Sequence, residues 1–171
     1  MKFLLSTYQN NYSKIVKYSL LVIFISILGF KANTEIPEKY TIETSLPKCK
    51  GTDFTKWTDC YGEYKFPRIE YKGEWKDGAF HGQGILKEAW GDVYVGSFVM
   101  NIAEGLGRQD IYQYGEMVGS FGGELKNDYL NGQGYYEIDG CRYEGFFIDH
   151  QLNGEGKITC DYGYLAKGLF K

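Results

Sequence analysis

The stretch YKGEWKDGAFHGQG, residues 71–84, decides the fold of this 171-residue chain. Its first five residues alternate, which places the rings of Tyr71 and Trp75 on one face of a β-strand and the charged residues between them on the other. Asp77-Gly78 is typical of a tight turn, because both residue types tolerate positive φ. A second alternating strand then begins at G-x-G. The stretch therefore predicts one antiparallel β-hairpin.

The same pattern recurs along the second half of the chain. The unit openings are Tyr71-Lys72-Gly73, Tyr94-Val95-Gly96, Met117-Val118-Gly119 and Tyr143-Glu144-Gly145, at steps of 23, 23 and 26 residues, and each is followed by a G-x-G strand. A truncated fifth unit opens at Ala166-Lys167-Gly168. Repetition of one hairpin with short turns predicts an all-β chain, a single antiparallel meander.

Two details of the repeat are less regular. Phe121-Gly122-Gly123 also fits a unit opening, so four extra residues lie in the third unit, as a longer turn or as a bulge. In the fourth unit, the turn is predicted within residues 149–153, and Asn153-Gly154 has turn chemistry as well.

The repeat aligns glycines beside aromatic side chains. A bare Cα leaves room for a ring from the adjacent strand, so repetition predicts a stripe of stacked rings along one face. The stripe consists of Tyr71, Trp75, Tyr94, Phe98, Phe121, Tyr143 and Phe147. It is interpreted first as hydrophobic core and second as a binding platform, since a single layer leaves its residues partly uncovered.

These motifs resemble the MORN-repeat family, whose pattern is Tyr-x-Gly-x-Trp/Phe, a turn, and His-Gly-x-Gly. The resemblance covers residues 71–171 as four repeats and a truncated fifth. Residues 49–70 are similar to the segment that precedes the repeats in bacterial exported MORN proteins, and form a Cys-containing cap or degenerate first repeat. The resemblance implies an elongated, curved sheet and a role in protein or membrane association, with no shared reaction.

The first 32 residues differ from the rest. Residues 18–30 are nearly all apolar and follow Lys14 and Lys17, which is typical of a secretory signal peptide; the alternative is an uncleaved membrane anchor. Either reading gives an N-terminal hydrophobic helix and exports the body of the chain. Residues 33–48 are interpreted as a polar linker.

Four cysteines in an exported body suggest two disulfides. Sequence position favours Cys49–Cys60 and Cys141–Cys160, the latter joining two strands of the fourth hairpin. Free thiols in a reducing compartment are the alternative. A zinc site is disfavoured, because no C-x-x-C spacing exists and the chain has two histidines, His81 and His150. Both histidines are assigned to turn positions of the repeat.

Charge and residue types argue against several functions. Four of the 19 basic residues precede Glu35, the first acidic residue, so residues 35–171 hold 15 basic and 22 acidic residues, a net charge of −7. This balance disfavours nucleic acid and anionic lipid. Neither histidine has a catalytic neighbour in sequence, and repeated acids such as Glu74 and Glu144 suggest a solvated face.

We therefore predict a non-enzymatic scaffold of the cell envelope without a cofactor or metal. It would be periplasmic, or membrane-anchored through an uncleaved leader and facing the outside. It would bind an envelope protein, or itself, through its sheet. The alternative is a module that binds lipid headgroups or glycans through the aromatic stripe.

Overall fold

The computed structural model describes residues 40–171. A 3-10 turn at Phe54–Lys56 precedes ten strands. The strands are β1 (Cys60–Lys65), β2 (Ile69–Lys76), β3 (Ala79–Glu88), β4 (Val93–Val99), β5 (Ile102–Gln113), β6 (Glu116–Lys126), β7 (Tyr129–Ile138), β8 (Cys141–Ile148), β9 (Gln151–Cys160) and β10 (Leu165–Phe170).

The ten strands form one antiparallel sheet in which each strand pairs with its neighbours in sequence. This confirms the predicted all-β meander of hairpins. The predicted N-terminal hydrophobic helix lies outside the described residues. Within residues 40–171, no helix has the length and apolar character needed to cross a bilayer.

One glycine from every strand lies in a straight row across the sheet, which we call the glycine row. Its members are paired Cα to Cα from strand to strand: Gly62, Gly73, Gly84, Gly96, Gly107, Gly123, Gly134, Gly145, Gly156 and Gly168. Along each strand, successive side chains point to opposite faces of the sheet. The position of a residue relative to its row glycine therefore tells which face its side chain occupies. We call the face of Tyr71 and Trp75 the stripe face, and the face of Glu70 and Glu74 the strap face.

The third unit carries its extra residues as longer strands. Gly123 lies in the glycine row, so Phe121–Leu125 takes the place of Tyr71–Trp75, and Gly119 lies beyond the row. Strands β5 and β6 extend to the pair Gln113 and Glu116, with a register shift at Ile111/Tyr112. The extra length is therefore accommodated by a bulge near the tip of an extended hairpin.

The turns inside the units are two-residue turns in which both residues have positive φ, as in type I′ hairpins. They are Asp77-Gly78, Met100-Asn101, Asn127-Asp128 and Asp149-His150, with φ between 48° and 73°. The predicted turn at Asn153-Gly154 is therefore wrong, since both residues lie within β9. The turn lies instead at Asp149-His150, at the start of the predicted range of residues 149–153.

The histidines occupy different positions in their units. His81 lies in β3 opposite Glu74, so its predicted turn position is wrong. His150 lies in a turn as predicted, at the position that Gly78 holds in the first unit. The two residues are therefore not equivalent.

The chain before β1 wraps around the β1 edge of the sheet. Residues 40–46 cross the strap face and are named the strap. Residues 47–49 then run parallel to β1, where Tyr61 donates its N–H to the Pro47 carbonyl and accepts from Cys49 N–H, both at 2.8 Å. Beyond them Trp57 lies on the stripe face, with its ring centre 5.0 Å from that of Trp75. The part of the predicted linker that the structure describes thus contacts the sheet.

Candidate functional site

The predicted aromatic stripe lies on one face, and most of it is core. Its exposed fractions are Tyr71 0%, Trp75 1%, Phe147 1%, Phe98 3%, Tyr94 6% and Phe121 6%, while Tyr143 is half-buried. Edge-to-face contacts join the rings of the first two units, as between Tyr71 and Trp75 at 5.2 Å. The stripe thus supplies the hydrophobic core of the sheet, and a ligand would first have to displace packed rings.

The glycine row allows this packing in the first units. The Tyr71 ring lies over Gly73 and Gly84, and its hydroxyl donates to the Glu74 carbonyl at 2.9 Å. Burial raises the pKa of the Tyr71 hydroxyl, which therefore stays protonated and remains a donor. A Cβ at Gly84 would come within 2.7 Å of the Tyr71 ring, so only glycine fits there.

The strap occupies the opposite face. Tyr40, Ile42, Thr44 and Leu46 are half-buried, while the residues between them are exposed, as expected for an extended segment lying flat on a surface. The Tyr40 hydroxyl donates to Asp110 on β5 at 2.5 Å. At the other end Thr44 donates to Glu74 on β2 at 2.6 Å.

Several strap-face side chains of β2 to β5 are correspondingly buried. Ile85 is 0% exposed and Val93 1%, and the Asp110 carboxylate is covered as well. Arg108 lies beside Asp110, with Nε 2.8 Å from Oδ1, and this bond raises the pKa of the guanidinium. An extended polypeptide is thus seated on this half of the strap face.

The strap face of β8 to β10 has no such cover among the described residues. Its apolar side chains are exposed, with Phe146 at 41%, Leu165 at 58% and Leu169 at 79%. A shallow groove of about 630 Å³ follows the glycine row there. Its walls carry Glu144, Glu155, Lys157, Lys167 and Leu169.

Both favoured disulfides are present. Cys49 and Cys60 join the segment beside β1 to that strand, and Cys141 and Cys160 join β8 to β9, each with an S–S distance of 2.01 Å. Cys141 and Cys160 face each other in the strand register, as antiparallel pairing requires. The second bond therefore closes the fourth hairpin.

Acidic and histidine side chains are dispersed over the described residues. Residues 40–171 hold no group of three or more His, Cys, Asp or Glu side chains placed to share a metal ion. Glu74 lies over the bulge at Gly82, and Glu124 lies over Gly132 in the third unit. These two acids support irregular backbone within their hairpins.

A model of the MORN repeat matches residues 71–93, 94–110, 123–142 and 143–161. The chain belongs to the MORN-repeat family. The third match begins at Gly123, the glycine that the strand register also aligns with Gly73 and Gly96. MORN repeats are modules of protein and membrane binding.

The chain is similar to a short part of much longer proteins. Alsin from Homo sapiens, Mus musculus and Rattus norvegicus is 31% identical to the chain over 124 residues, which covers 66% of this MORN protein. The chain spans 7% of the length of these relatives. The likeness therefore concerns the repeat module.

Sequence reasoning missed the strap. Its period-2 pattern is present in residues 40–46 and can be read from the sequence. The partners of Tyr40 and Thr44 lie 70 and 30 residues away, however, and no local pattern identifies them. The contrast between a covered and an uncovered strap face is the functional feature that the structure adds.

Proposed function

We propose that this MORN protein is a non-catalytic interaction protein that binds a protein partner through the strap face of β8 to β10. The observation that carries the proposal is the exposure of Phe146, Leu165 and Leu169 on the face where, in the first two hairpins, Ile85 and Val93 are buried. The partner would supply an extended segment that crosses these strands.

The strap indicates what such a segment resembles. It crosses β2 to β5 with alternating inward side chains and hydrogen-bonds at both ends to carboxylates of the sheet. The groove over β8 to β10 lies along the same glycine row. Its floor is therefore glycine backbone, and side chains line it on two sides. Its walls mix Lys157 and Lys167 with Glu144 and Glu155, which favours a partner carrying both charges.

Two disulfides fit an oxidising compartment. We infer that the protein acts outside the reducing cytoplasm, in the cell envelope. Residues 18–30 support export, either as a removed signal or as an anchor that keeps the sheet at the membrane. The partner is accordingly an envelope protein or a second copy.

A non-catalytic role follows from the repeat module. A general acid or base needs a neighbour within about 3 Å and a site sheltered from water. Glu144 and Glu155 instead line a shallow, open groove, and family membership indicates binding. We therefore infer no enzymatic activity.

Cross-linking in envelope extracts tests the proposal. Phe146→Glu combined with Leu169→Glu should abolish a cross-linked species that the wild type forms, because both changes charge the exposed apolar surface without touching the core. Leu106→Glu is the matched control: Leu106 is 68% exposed on the same face at β5, outside the proposed contact. It should leave the species intact.

The size of the cross-linked species identifies the occupant. A mass near twice that of the uncross-linked chain in the same extract identifies a second copy, and any other mass identifies a different protein. Absence of any adduct, or equal loss with Leu106→Glu, would contradict the proposed surface. Unchanged near-UV circular dichroism of each variant confirms that the fold is intact.

A further inference from the structure

The turns of the second, third and fourth units are each hydrogen-bonded to the second strand of the preceding hairpin. The second turn residue donates its N–H to a backbone carbonyl. These bonds join Asn101 to Phe80 at 2.9 Å, Asp128 to Ala103 at 3.1 Å, and His150 to Leu130 at 3.0 Å. Consecutive hairpins are thus tied together along the edge formed by these turns.

The side chain of the same turn residue closes a second bond in the opposite direction. Phe80 N–H donates to Asn101 Oδ1 at 2.8 Å, and Ala103 N–H donates to Asp128 Oδ1 at 2.7 Å. At the third position Leu130 N–H donates to His150 Nδ1 at 3.3 Å. The three bridges have one geometry and three different acceptors.

Histidine differs from the other two acceptors because its ordinary pKa of about 6.5 lies near neutrality. Nδ1 accepts only when it carries no proton, so the bridge requires the neutral ring with its proton on Nε2. Protonation turns Nδ1 into a donor that faces another donor. The Leu130 side chain is 0% exposed, which limits access of a replacement water to its N–H.

The surroundings of His150 favour the neutral ring. Burial lowers its pKa, against the opposing effects of the Asp128 carbonyl and the Asp149 carboxylate. Its ring contacts Phe121 at 5.0 Å and Tyr129 at 5.4 Å. The charged and titratable groups around it are therefore Asp128 and Tyr129 from the neighbouring hairpin and Asp149 from its own turn.

We propose that protonation of His150 opens the bridge between the third and fourth MORN units, so that mild acid loosens β8 and β9 from β7. The folded state holds His150 neutral, whereas the unfolded chain protonates it at about pH 6.5. Stability from this bridge is therefore full above pH 6.5 and is lost as the pH falls through the lowered folded-state pKa. The bridge at Asn101 has an amide oxygen as its acceptor, which does not titrate.

Native-state hydrogen exchange of the full chain with both disulfides formed tests this directly. The protection factor of the Leu130 amide, already corrected for intrinsic exchange, should fall by about tenfold between pH 7.5 and 5.5. The Phe80 amide, bonded to Asn101, is the internal reference and should change less than about twofold.

Two variants should change which amide loses protection in mild acid. His150→Asn copies the acceptor of the second unit and should make Leu130 protection independent of pH. Asn101→His should create the same loss at Phe80 and leave the loss at Leu130 in place. Equal loss at Leu130 in the wild type and His150→Asn, or constant protection in the wild type, would overturn the proposal.

Discussion

The first two hairpins and the fourth hairpin carry the same motif and fill their faces differently. In the first, the Tyr71 ring covers the glycine row and stacks on Phe80 with ring centres 3.8 Å apart. In the fourth, Leu152 takes that place over Gly145 and Gly156, and Tyr143 is left half-buried. At β10 nothing lies within 4 Å of where a Cβ on Gly168 would point.

The strap strengthens the same contrast. It covers the other face of β2 to β5, so this region has side chains packed on both faces, whereas β8 to β10 has packing on one. The same glycine register is thus compatible with very different amounts of buried surface. We infer that β2 to β5 holds most of the stability, and that the C-terminal hairpins depend on Cys141–Cys160 and on their turn bridges.

The largest expected effect tests this dependence. Replacing Cys141 and Cys160 with Ser should lower the free energy of unfolding of the fourth hairpin by about 3 kcal/mol, because the closed loop no longer restricts the unfolded chain. Limited proteolysis should then cut within β8 to β10 and leave β2 to β5 intact. Replacing Cys49 and Cys60 is the control, and uniform cleavage of both regions would contradict the contrast.

A second test adds one methyl group to the glycine row. Gly84→Ala should cost about 3 kcal/mol, because the new Cβ would meet the buried Tyr71 ring and force a backbone shift. Gly156→Ala is the matched change, and it should cost less, about 1 kcal/mol, because its contacts are longer: the Leu152 methyl groups lie at 3.0 Å and the Glu144 carbonyl oxygen at 3.1 Å. Urea denaturation of both variants measures the difference, and equal costs would refute it.

A third test removes single hydroxyl groups. Tyr71→Phe should destabilise the protein by about 1 kcal/mol, because the Glu74 carbonyl loses its donor in a buried place. Tyr143→Phe should cost less than about 0.5 kcal/mol, because water reaches a half-buried ring. A larger cost for Tyr143→Phe in the same denaturation assay would reverse the order of the two regions.

The smallest effect concerns the predicted platform for lipid headgroups or glycans. Tyr143 is the stripe residue with the most open surroundings, so Tyr143→Ala is the sharpest probe of that alternative. Co-sedimentation with neutral vesicles and with insoluble glycan should change by less than about twofold, since packed rings offer no stacking surface. A tenfold loss with either material would favour the stripe as a binding site.

Local chemistry explains how much of the fold could be predicted. Alternation around Gly73 and Gly84 defines strand faces, and Asp77-Gly78 defines a turn, so the meander follows from neighbours in sequence. The stripe residues were found for the same reason. The pairing of Cys141 with Cys160 follows from the hairpin that separates them.

Long-range contacts explain what was missed. Nothing near Tyr40 reveals Asp110, and turn chemistry alone does not choose between Asp149-His150 and Asn153-Gly154. Both features depend on tertiary contacts, which stabilise one of several locally acceptable backbone conformations. The candidate surface on β8 to β10 is likewise defined by comparison with covered strands, which requires coordinates.

The glycine row also limits how such a chain can change its length. Successive strands run in opposite directions, and the turns alternate between two edges of the sheet, so loss of one strand would reverse every later strand and misplace its glycine. Loss or duplication of a whole hairpin preserves direction, face and register together. In evolution, the sheet should therefore lengthen or shorten in steps of two strands. Each added hairpin would pair with the edge strand that is already present.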